Sequence, residues 1–375
     1  MIRARRGSSA NLNSQRGAAL IVVLWLLVLL GLVVGFFMQR SHLELLVTRN
    51  FMEDSRNSQE VRAGINEGIR LLLADDNDYD SLADSWALAE GNDRYTLRIV
   101  DEGSRINLNA MREAILGQLP GILPEELAAL LDWRDLDDQA RQGGAEDSYY
   151  MGLPERYHAT NGRFEVKEEL KLVKGLSEVY DSWVDLVTVY GPLNVNTAAI
   201  DGLDALFASR GVDKFTAQFI LNELILYRQG APLGSLKDLE EWRKKMPSMT
   251  EEIFKKVQPD LTVEGTINVN TVSREVLLTL FRGLNLSDAY VDPLISARGK
   301  MAFPDLSQVK PVFGGNTDAF NKLKNFFTTR SSYFTIEARA RPGTGARGAA
   351  RVTVYRYHPG GEGKKWRVKI LSWEE

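Results

Sequence analysis

The apolar and polar positions divide this chain into an unbroken hydrophobic stretch and a long, mostly polar remainder. Residues 18–38 contain no charged side chain, and four arginines precede them: Arg3, Arg5, Arg6 and Arg16. About 20 apolar residues, rising ~1.5 Å each, cross the ~30 Å hydrocarbon core of a bilayer. Basic residues stay on the cytoplasmic side of a membrane. The pattern therefore predicts one membrane span, with the rest of the chain exported.

The apolar stretch is predicted to continue as a polar helix, because apolar residues recur at mostly four-residue spacing. No proline interrupts residues 43–73, and the spacing is carried by Leu43, Val47, Phe51, Val61, Ile65, Ile69 and Leu73. Together the two parts predict one helix of roughly 56 residues, ~84 Å long. The alternative is a membrane anchor followed by a separate amphipathic helix.

Alternating apolar residues predict four strands, one early and three late in the chain. The early strand covers 94–100; the late strands cover 331–341, 350–358 and 364–373, with glycine-containing hairpin turns at 343–345 and 360–361. The expected fold class is therefore α+β, with the long N-terminal helix packed on an antiparallel sheet. This layout resembles that of pilins, so a pilin-like fold is expected. Residues 110–329 separate the first strand from the others and are expected to form a large all-helical domain inserted between strands.

A short asparagine motif recurs three times. The copies are Arg-Ile-Asn-Leu-Asn at 105–109, Leu-Asn-Val-Asn-Thr at 193–197 and Ile-Asn-Val-Asn-Thr at 267–271. Each copy precedes a helical pattern, so we expect the Asn or Thr at its end to cap that helix. Successive copies are 87 and 74 residues apart, which excludes a solenoid of fixed period.

A glycine followed by an apolar residue also recurs, at 121–122, 175–176 and 283–284. This arrangement resembles helix-hairpin-helix modules, in which backbone amides can approach a DNA phosphate. However, Glu125 and Glu126 follow the first hairpin and would repel phosphate, and no basic stripe accompanies the hairpins. We interpret them as compact helix connectors. A membrane-anchored helix-hairpin-helix protein for DNA binding or uptake remains the alternative.

The strongest chemical signal is a group of carboxylates that are crowded into one short segment. Like charges this close destabilise a fold unless a cation or basic side chains neutralise them. Ca²⁺ binds about 6–8 oxygens from carboxylates, carbonyls and water. Asp132, Asp135 and Asp137 have a spacing that could surround one ion, and Glu146 and Asp147 could complete the site after a Gly-Gly turn. A solvated acidic loop is the alternative interpretation.

Composition narrows the possible functions further. The chain has 375 residues, a net charge of −4 and no cysteine, so no disulfide can stabilise an exported domain. A bound ion would be a structural substitute for such a crosslink. The sequence contains no G-x-S-x-G, H-E-x-x-H or P-loop pattern, and we therefore expect that the protein is not an enzyme.

The start of the apolar stretch resembles a type IV prepilin signal, in which a basic leader ends in glycine directly before the hydrophobic helix. Here Gly17 precedes Ala18. The resemblance implies that prepilin peptidase cleaves between these two residues and that the helix stays on the mature protein with Ala18 as its new N-terminus, where methylation is expected. One departure is informative: pilins carry Glu at the fifth mature position, which is Val22 in this chain.

This departure, the interrupted pilin-like layout and the acidic segments at 132–138 and 143–150 resemble the K-type minor pseudopilin family of type II secretion systems, general secretion pathway protein K. Segments 161–164 and 192–198 resemble that family as well. The family's inserted domain binds calcium. Carried over to this chain, the resemblance implies one or two structural calcium ions with the ligands Asp132, Asp135, Asp137, Glu146 and Asp147, and Asp138 as a weaker candidate.

The resemblance also implies the organisation of the chain: a leader at 1–17, a transmembrane and assembly helix at 18–38, a stem helix and first strand at 39–109, the inserted domain at 110–329 and C-terminal strands at 330–375. The implied protein is a minor pseudopilin at the pseudopilus tip that initiates or caps fibre assembly for export across the outer membrane. Its implied partners are the I- and J-type minor pseudopilins, other pseudopilins and prepilin peptidase, and no nucleic acid. It would cross the inner membrane once, with its C-terminal bulk in the periplasm.

Overall fold

A computed structural model of the chain describes residues 12–230, 232–233, 236–341, 348–358 and 365–375. For residues 12–18 and 236–237 it describes the backbone only. The first part of the predicted leader and both predicted hairpin turns, at 343–345 and 360–361, lie outside the described residues. The helices are α1 Leu12–Ala74, α2 Glu113–Leu116, α3 Pro124–Arg134, α4 Asp147–Tyr150, α5 Tyr180–Trp183, α6 Ile200–Ser209, α7 Lys214–Tyr227, α8 Leu236–Lys244, α9 Glu251–Val257, α10 Arg274–Gly283, α11 Val291–Lys300 and α12 Thr317–Leu323.

The strands follow in the same chain order and fall into two kinds. Four have seven to nine residues and six have only two. They are β1 Tyr95–Asp101, β2 Ile106–Asn107, β3 Val187–Thr188, β4 Leu193–Asn194, β5 Leu261–Thr262, β6 Ile267–Asn268, β7 Phe327–Thr328, β8 Tyr333–Ala340, β9 Ala349–Tyr357 and β10 Arg367–Glu374.

The N-terminal helix α1 is continuous over 63 residues, which confirms the prediction of one long helix over an anchor followed by a separate one. Its apolar first half is long and hydrophobic enough to cross a membrane and is exposed along its whole length. Its second half packs on the sheet through Val61, Ile65 and Leu72, all buried. Gly64 and Gly68 permit this close approach, because a Cβ atom there would lie 2.8 Å from a side-chain atom of the sheet in one case and 2.6 Å in the other.

The four longer strands form one antiparallel sheet in the order β1-β8-β9-β10. This confirms the four predicted strands and the α+β class. In the register Tyr95 lies opposite Ala340 and Asp101 opposite Phe334, so the first strand pairs with a segment more than two hundred residues away. The segment between β1 and β8 is therefore an insertion between two neighbouring strands of the sheet.

The inserted part contains short strands as well as helices, and in this respect it differs from the expected all-helical domain. Its six two-residue strands pair as parallel ladders, β2 with β3, β4 with β5 and β6 with β7. Each ladder begins with one copy of the asparagine motif and closes one unit of the insertion. We call these unit 1 (106–190), unit 2 (193–263) and unit 3 (267–329). Ile106 and Leu108 are fully buried in the core that units 1 and 3 share, so this part begins a few residues before 110.

The asparagine motifs do not cap the helices that follow them, contrary to expectation. The residues at the N-cap positions of α2, α6 and α10 are Arg112, Ala199 and Ser273. The first Asn of each motif instead accepts a hydrogen bond from the backbone N–H two residues later, at 2.9 Å in unit 1, 2.8 Å in unit 2 and 3.0 Å in unit 3. The side chain therefore fixes the turn that ends the short strand.

The second Asn of each motif binds a distant backbone segment through two hydrogen bonds. In unit 1 the Asn109 side chain accepts from the Phe164 N–H at 2.9 Å and donates to the Phe164 carbonyl at 2.9 Å. The equivalent pairs are Asn196 with Leu233 and Asn270 with Phe303. The three units therefore share one internal architecture, although different loop lengths hide it in the sequence.

The predicted glycine hairpins are only partly where we expected them. Gly121 has φ 77° and Gly175 has φ 80°, a left-handed conformation that favours glycine. Gly283 is instead the last residue of α10, and the left-handed residue there is Asn285, with φ 53°. The turn between α6 and α7 uses Gly211, with φ 73°, which the sequence pattern did not single out.

Candidate metal site

The C-terminal end of α3 places the first acidic residue of the site in a buried position. Trp133 packs edge-on against the ring of Tyr150, with centroids 5.1 Å apart, and both side chains are buried. Asp132, the residue before Trp133, is fully buried. The end of α3 therefore holds both the Trp133 ring and the Asp132 carboxylate inside the protein.

The loop after α3 wraps around the Asp132 carboxylate. The backbone N–H groups of Arg141 and Ala145 donate to its Oδ2 atom at 3.1 and 2.9 Å. Gly144 lies so close that a Cβ atom there would overlap Asp132 Oδ2. The Gly-Gly turn was expected from the sequence, and glycine is required at position 144 because the loop approaches the carboxylate so closely.

Three of the five predicted ligands come together in this structure. Asp132, Asp135 and Glu146 are all buried and each offers an oxygen within 4.8 Å of the others. The Glu146 side chain is only 2% exposed, and neither of its carboxylate oxygens has a hydrogen-bond partner among the described residues. Burial raises the pKa of Glu146 to about 7, and the negative charges of the neighbouring aspartates add to this shift.

One arginine supplies positive charge to the cluster. The Arg141 Nη1 atom lies 2.7 Å from Asp132 Oδ1 and also contacts Asp135 Oδ2. Burial by itself would lower the pKa of Arg141, but its hydrogen bonds to these two aspartates raise it. Arg141 therefore balances part of the negative charge of the aspartates, while Glu146 receives no hydrogen bond from it.

The remaining two predicted ligands lie outside this group of three. Asp137 is exposed and accepts a hydrogen bond from the Gln139 N–H at 2.9 Å. Asp147 is the first residue of α4, and its carboxylate binds His158 Nδ1 at 2.9 Å and the Ala159 N–H at 3.1 Å. The full set of five ligands stays a prediction.

The donor chemistry of the three-carboxylate group fits a hard divalent cation. A buried carboxylate without a partner is costly, and oxygen ligands at such a site are those that Ca²⁺ prefers. The two unpartnered oxygens of Glu146 therefore offer what an ion requires. Asp138, the weaker candidate, is occupied differently, since its Oδ1 accepts from the Asn161 side chain at 2.9 Å.

A second buried acidic group was not identified by the sequence analysis. Asp75, Asp80 and Asp84 lie together after the end of α1. Arg356 of β9 supplies the cation here, because it binds Asp75 at 3.3 Å, contacts Asp80 and donates to the Ser331 carbonyl at 3.1 Å. Burial raises the pKa of Asp80 to about 7. This network joins the end of α1 to the sheet, and the Asn268 side chain of the insertion donates to the Asp80 carbonyl at 3.2 Å.

The predicted cleavage site falls at the beginning of the described chain. Gly17 and Ala18 lie within α1, and their side chains are outside the described part. Cleavage between them stays a prediction.

The fold and the site together define a protein with a pilin-like layout that carries a large insertion with a carboxylate-rich site, and its N-terminal helix is apolar and long enough to cross a membrane. A sequence profile for the type II secretion system (T2SS) protein K family matches residues 110–192, which include every predicted calcium ligand. The chain is 28% identical over 208 residues to the putative type II secretion system protein K of Escherichia coli K12, covering 47% of this chain and 63% of that relative. These matches confirm the predicted resemblance to the K-type family.

Two further comparisons agree with this result. The type II secretion system protein K of Pseudomonas aeruginosa is 28% identical over 234 residues, which covers 52% of this chain and 69% of that protein. Among solved structures, a chain of the GspK-GspI-GspJ complex from enterotoxigenic Escherichia coli covers 87% of this chain and 98% of its own length, with a TM-score of 0.50 and 14% identity. At that identity the likeness concerns the fold. The comparisons provide no argument for the DNA-binding alternative.

Proposed function

We propose that this protein is a minor pseudopilin at the tip of the type II secretion pseudopilus, where it initiates or caps fibre assembly with I- and J-type minor pseudopilins. The observation that carries the proposal is the continuity of α1. One unbroken helix has an exposed apolar half and a second half that is buried on the sheet. Such a helix can be held in a bilayer first and packed among other helices of a fibre afterwards.

Two features of the chain support the proposed position at the tip. The insertion of roughly 220 residues emerges between the neighbouring strands β1 and β8, and it would obstruct the stacking of another globular head. Val22 lacks the carboxylate that pairs, in a pilus, with the N-terminal ammonium of an adjacent subunit. A buried carboxylate without such a partner is unfavourable, so a subunit with no neighbour above it gains nothing from Glu at this position.

The proposed role is structural and not enzymatic. The leader would be removed by prepilin peptidase, the helix would cross the inner membrane once and the bulk of the chain would stand in the periplasm. Calcium would bind at Asp132, Asp135 and Glu146, with Asp137 and Asp147 as the further predicted ligands. Because the chain has no cysteine, this ion would stabilise the acidic loop in place of a disulfide.

The proposal is tested by co-expressing the full chain with the I- and J-type minor pseudopilins in inner membranes and isolating complexes through a tag on this chain. We expect all three proteins in one complex and expect immunogold label only at fibre ends. The Val22→Glu variant should be found at internal positions more often than the size-matched Val22→Leu control. A correctly folded chain that binds neither partner, or label distributed along the fibre, would contradict the proposal.

A further inference from the structure

A cleft between units 1 and 2 is lined by charged residues to which the proposed role in fibre assembly assigns no function. Its volume is about 570 Å³, and it is lined by the start of α6, the end of α7 and residues near α2. The ionisable residues in its lining are four arginines and two acids: Arg112, Arg134, Arg141, Arg228, Glu113 and Asp201. The lining therefore has an excess of positive charge.

Two of the four arginines already have carboxylate partners. Arg134 forms an ion pair with Asp201, and Arg141 binds the acidic site described above. Among the described residues no carboxylate forms an ion pair with Arg112 or Arg228. The uncompensated charge of the cleft therefore resides on these two side chains.

Arg112 and Arg228 are held in place by the backbone of unit 2. The Nε atom of Arg112 donates to the Thr197 carbonyl at 2.8 Å, and that of Arg228 donates to the Val195 carbonyl at 2.8 Å. Arg228 Nη2 is buried and has no acceptor in the described part of the chain. Burial lowers the pKa of both guanidinium groups, that of Arg228 to about 10, and the charge of Arg112 contributes to the shift of Arg228. Both facts indicate positive charges that lack an anion.

The N-terminus of α6 also favours a negatively charged ligand in this cleft. This ten-residue helix begins at Ile200, which lines the cleft, and its N-cap residue Ala199 makes no side-chain cap hydrogen bond. The first turn of a helix favours negative charge, because its free N–H groups and the helix dipole are positive there. The helix end and the two arginines thus favour the same kind of ligand.

Helix α7, whose last turn lines the cleft, also carries exposed apolar side chains. Phe215, Phe219 and Leu226 are 80%, 64% and 68% exposed, and their spacing places them on one face of the helix. Ile225, the neighbour of Leu226, lines the cleft. Ile225 is itself 42% exposed, so a ligand that reaches the arginines can also contact this apolar side chain in the cleft.

We propose that this cleft binds a carboxylate of a polypeptide ligand through Arg112 and Arg228, while an apolar side chain of the same ligand packs on Ile225 of α7. The planar fork of an arginine matches the geometry of a carboxylate. Asp201 is already paired with Arg134, and Arg141 with the acidic site, so Glu113 reduces the uncompensated charge of the lining to about +1. A singly charged carboxylate matches that charge better than a doubly charged phosphate. The inference stands independently of the position at the pseudopilus tip, because binding is measured on the isolated chain.

The test uses the full chain in detergent and a dye-labelled peptide of alternating glutamate and leucine residues, followed by fluorescence anisotropy, with protein-free micelles as the blank. We expect the matched peptide with glutamine in place of glutamate to bind at least about tenfold more weakly, the change expected when a charge-assisted hydrogen bond is lost. Sodium acetate should compete with the acidic peptide more effectively than inorganic phosphate at equal ionic strength.

Variants of the chain separate the cleft from general charge effects. Arg112→Gln and Arg228→Gln should each weaken peptide binding roughly tenfold, whereas Arg274→Gln, an exposed arginine paired with Asp292, should leave it unchanged. Ile225→Glu removes no hydrogen bond of the arginines and should weaken binding to a similar extent, while Ile225→Gln should not. Equal affinity for both peptides, stronger competition by phosphate, or an Ile225→Glu variant that binds as well as the unmodified chain would overturn the proposal.

Discussion

The buried Glu146 gives the most quantitative prediction for the acidic site. Without a cation its pKa rises from the ordinary 4.5 to about 7. Each pKa unit of difference between the folded and unfolded states corresponds to ~1.4 kcal/mol, so the ionised side chain costs the cation-free folded state at most ~3.5 kcal/mol. We therefore expect Glu146→Gln to stabilise the chelated protein at pH 8 by up to this amount.

The sign of the pH dependence follows from the same raised pKa. As pH rises above about 4.5, the unfolded chain releases the Glu146 proton while the folded chain retains it until about pH 7. Stability should therefore fall across this window and reach its full loss above it. In Glu146→Gln this contribution is absent, so the chelated variant should show a flatter profile between pH 4.5 and 7.

Calcium should make the unmodified chain more stable than Glu146→Gln, the reverse of their order after chelation. An ion that binds only the folded state adds ~2.7 kcal/mol at one hundred times its Kd, and the loss of the Glu146 charge should weaken that binding. The assay is thermal unfolding of the full chain with EDTA or with calcium, and Glu155→Gln, an exposed glutamate nearby, is the control. If the unmodified chain melts identically with EDTA and calcium, and if Glu146→Gln changes neither curve, the account of this site is wrong.

Three further predictions concern the framework. Asn270→Ala should lower the free energy of unfolding by about 2–4 kcal/mol in chemical denaturation, because the buried N–H and carbonyl of Phe303 lose their partner. Arg356→Met should cost about 3–5 kcal/mol in the same assay, since two buried aspartates lose their cation, and unchanged stability would refute the role of this network. Gly202→Ala should destabilise the chain in calorimetry, because its Cβ would overlap a backbone oxygen. Gly299→Ala, in open space within α11, should instead stabilise the chain by up to about 1 kcal/mol. Equal effects of the two substitutions would contradict the packing described.

The elements that could be predicted from sequence are those with long, regular patterns. The helix α1 was predictable because its apolar spacing continues without a proline, and the sheet because alternation persists through β1, β8, β9 and β10. The acidic group was predictable for a related reason. Its members are close along the chain, so their charge density is visible before the chain folds.

The remaining features depend on contacts between distant residues. Asn109 and Phe164 are 55 residues apart, and Asp80 and Arg356 are 276 apart. A two-residue strand is too short to show alternation, so the three ladders of the insertion left no periodic signal. The expected helix caps failed because the Asn side chains bind the turn and a remote backbone segment, an outcome that local preference does not decide.

The central claim is that α1 is an assembly helix that is trimmed at its cytoplasmic end and kept on the mature protein. Its most direct test is the intact mass of the full chain, purified from inner membranes of cells with and without active prepilin peptidase. We predict that the peptidase removes residues 1–17 and leaves a polypeptide that begins at Ala18 and retains the apolar helix. A mature chain that still carries Met1, or one that has lost residues 18–38, would contradict the account.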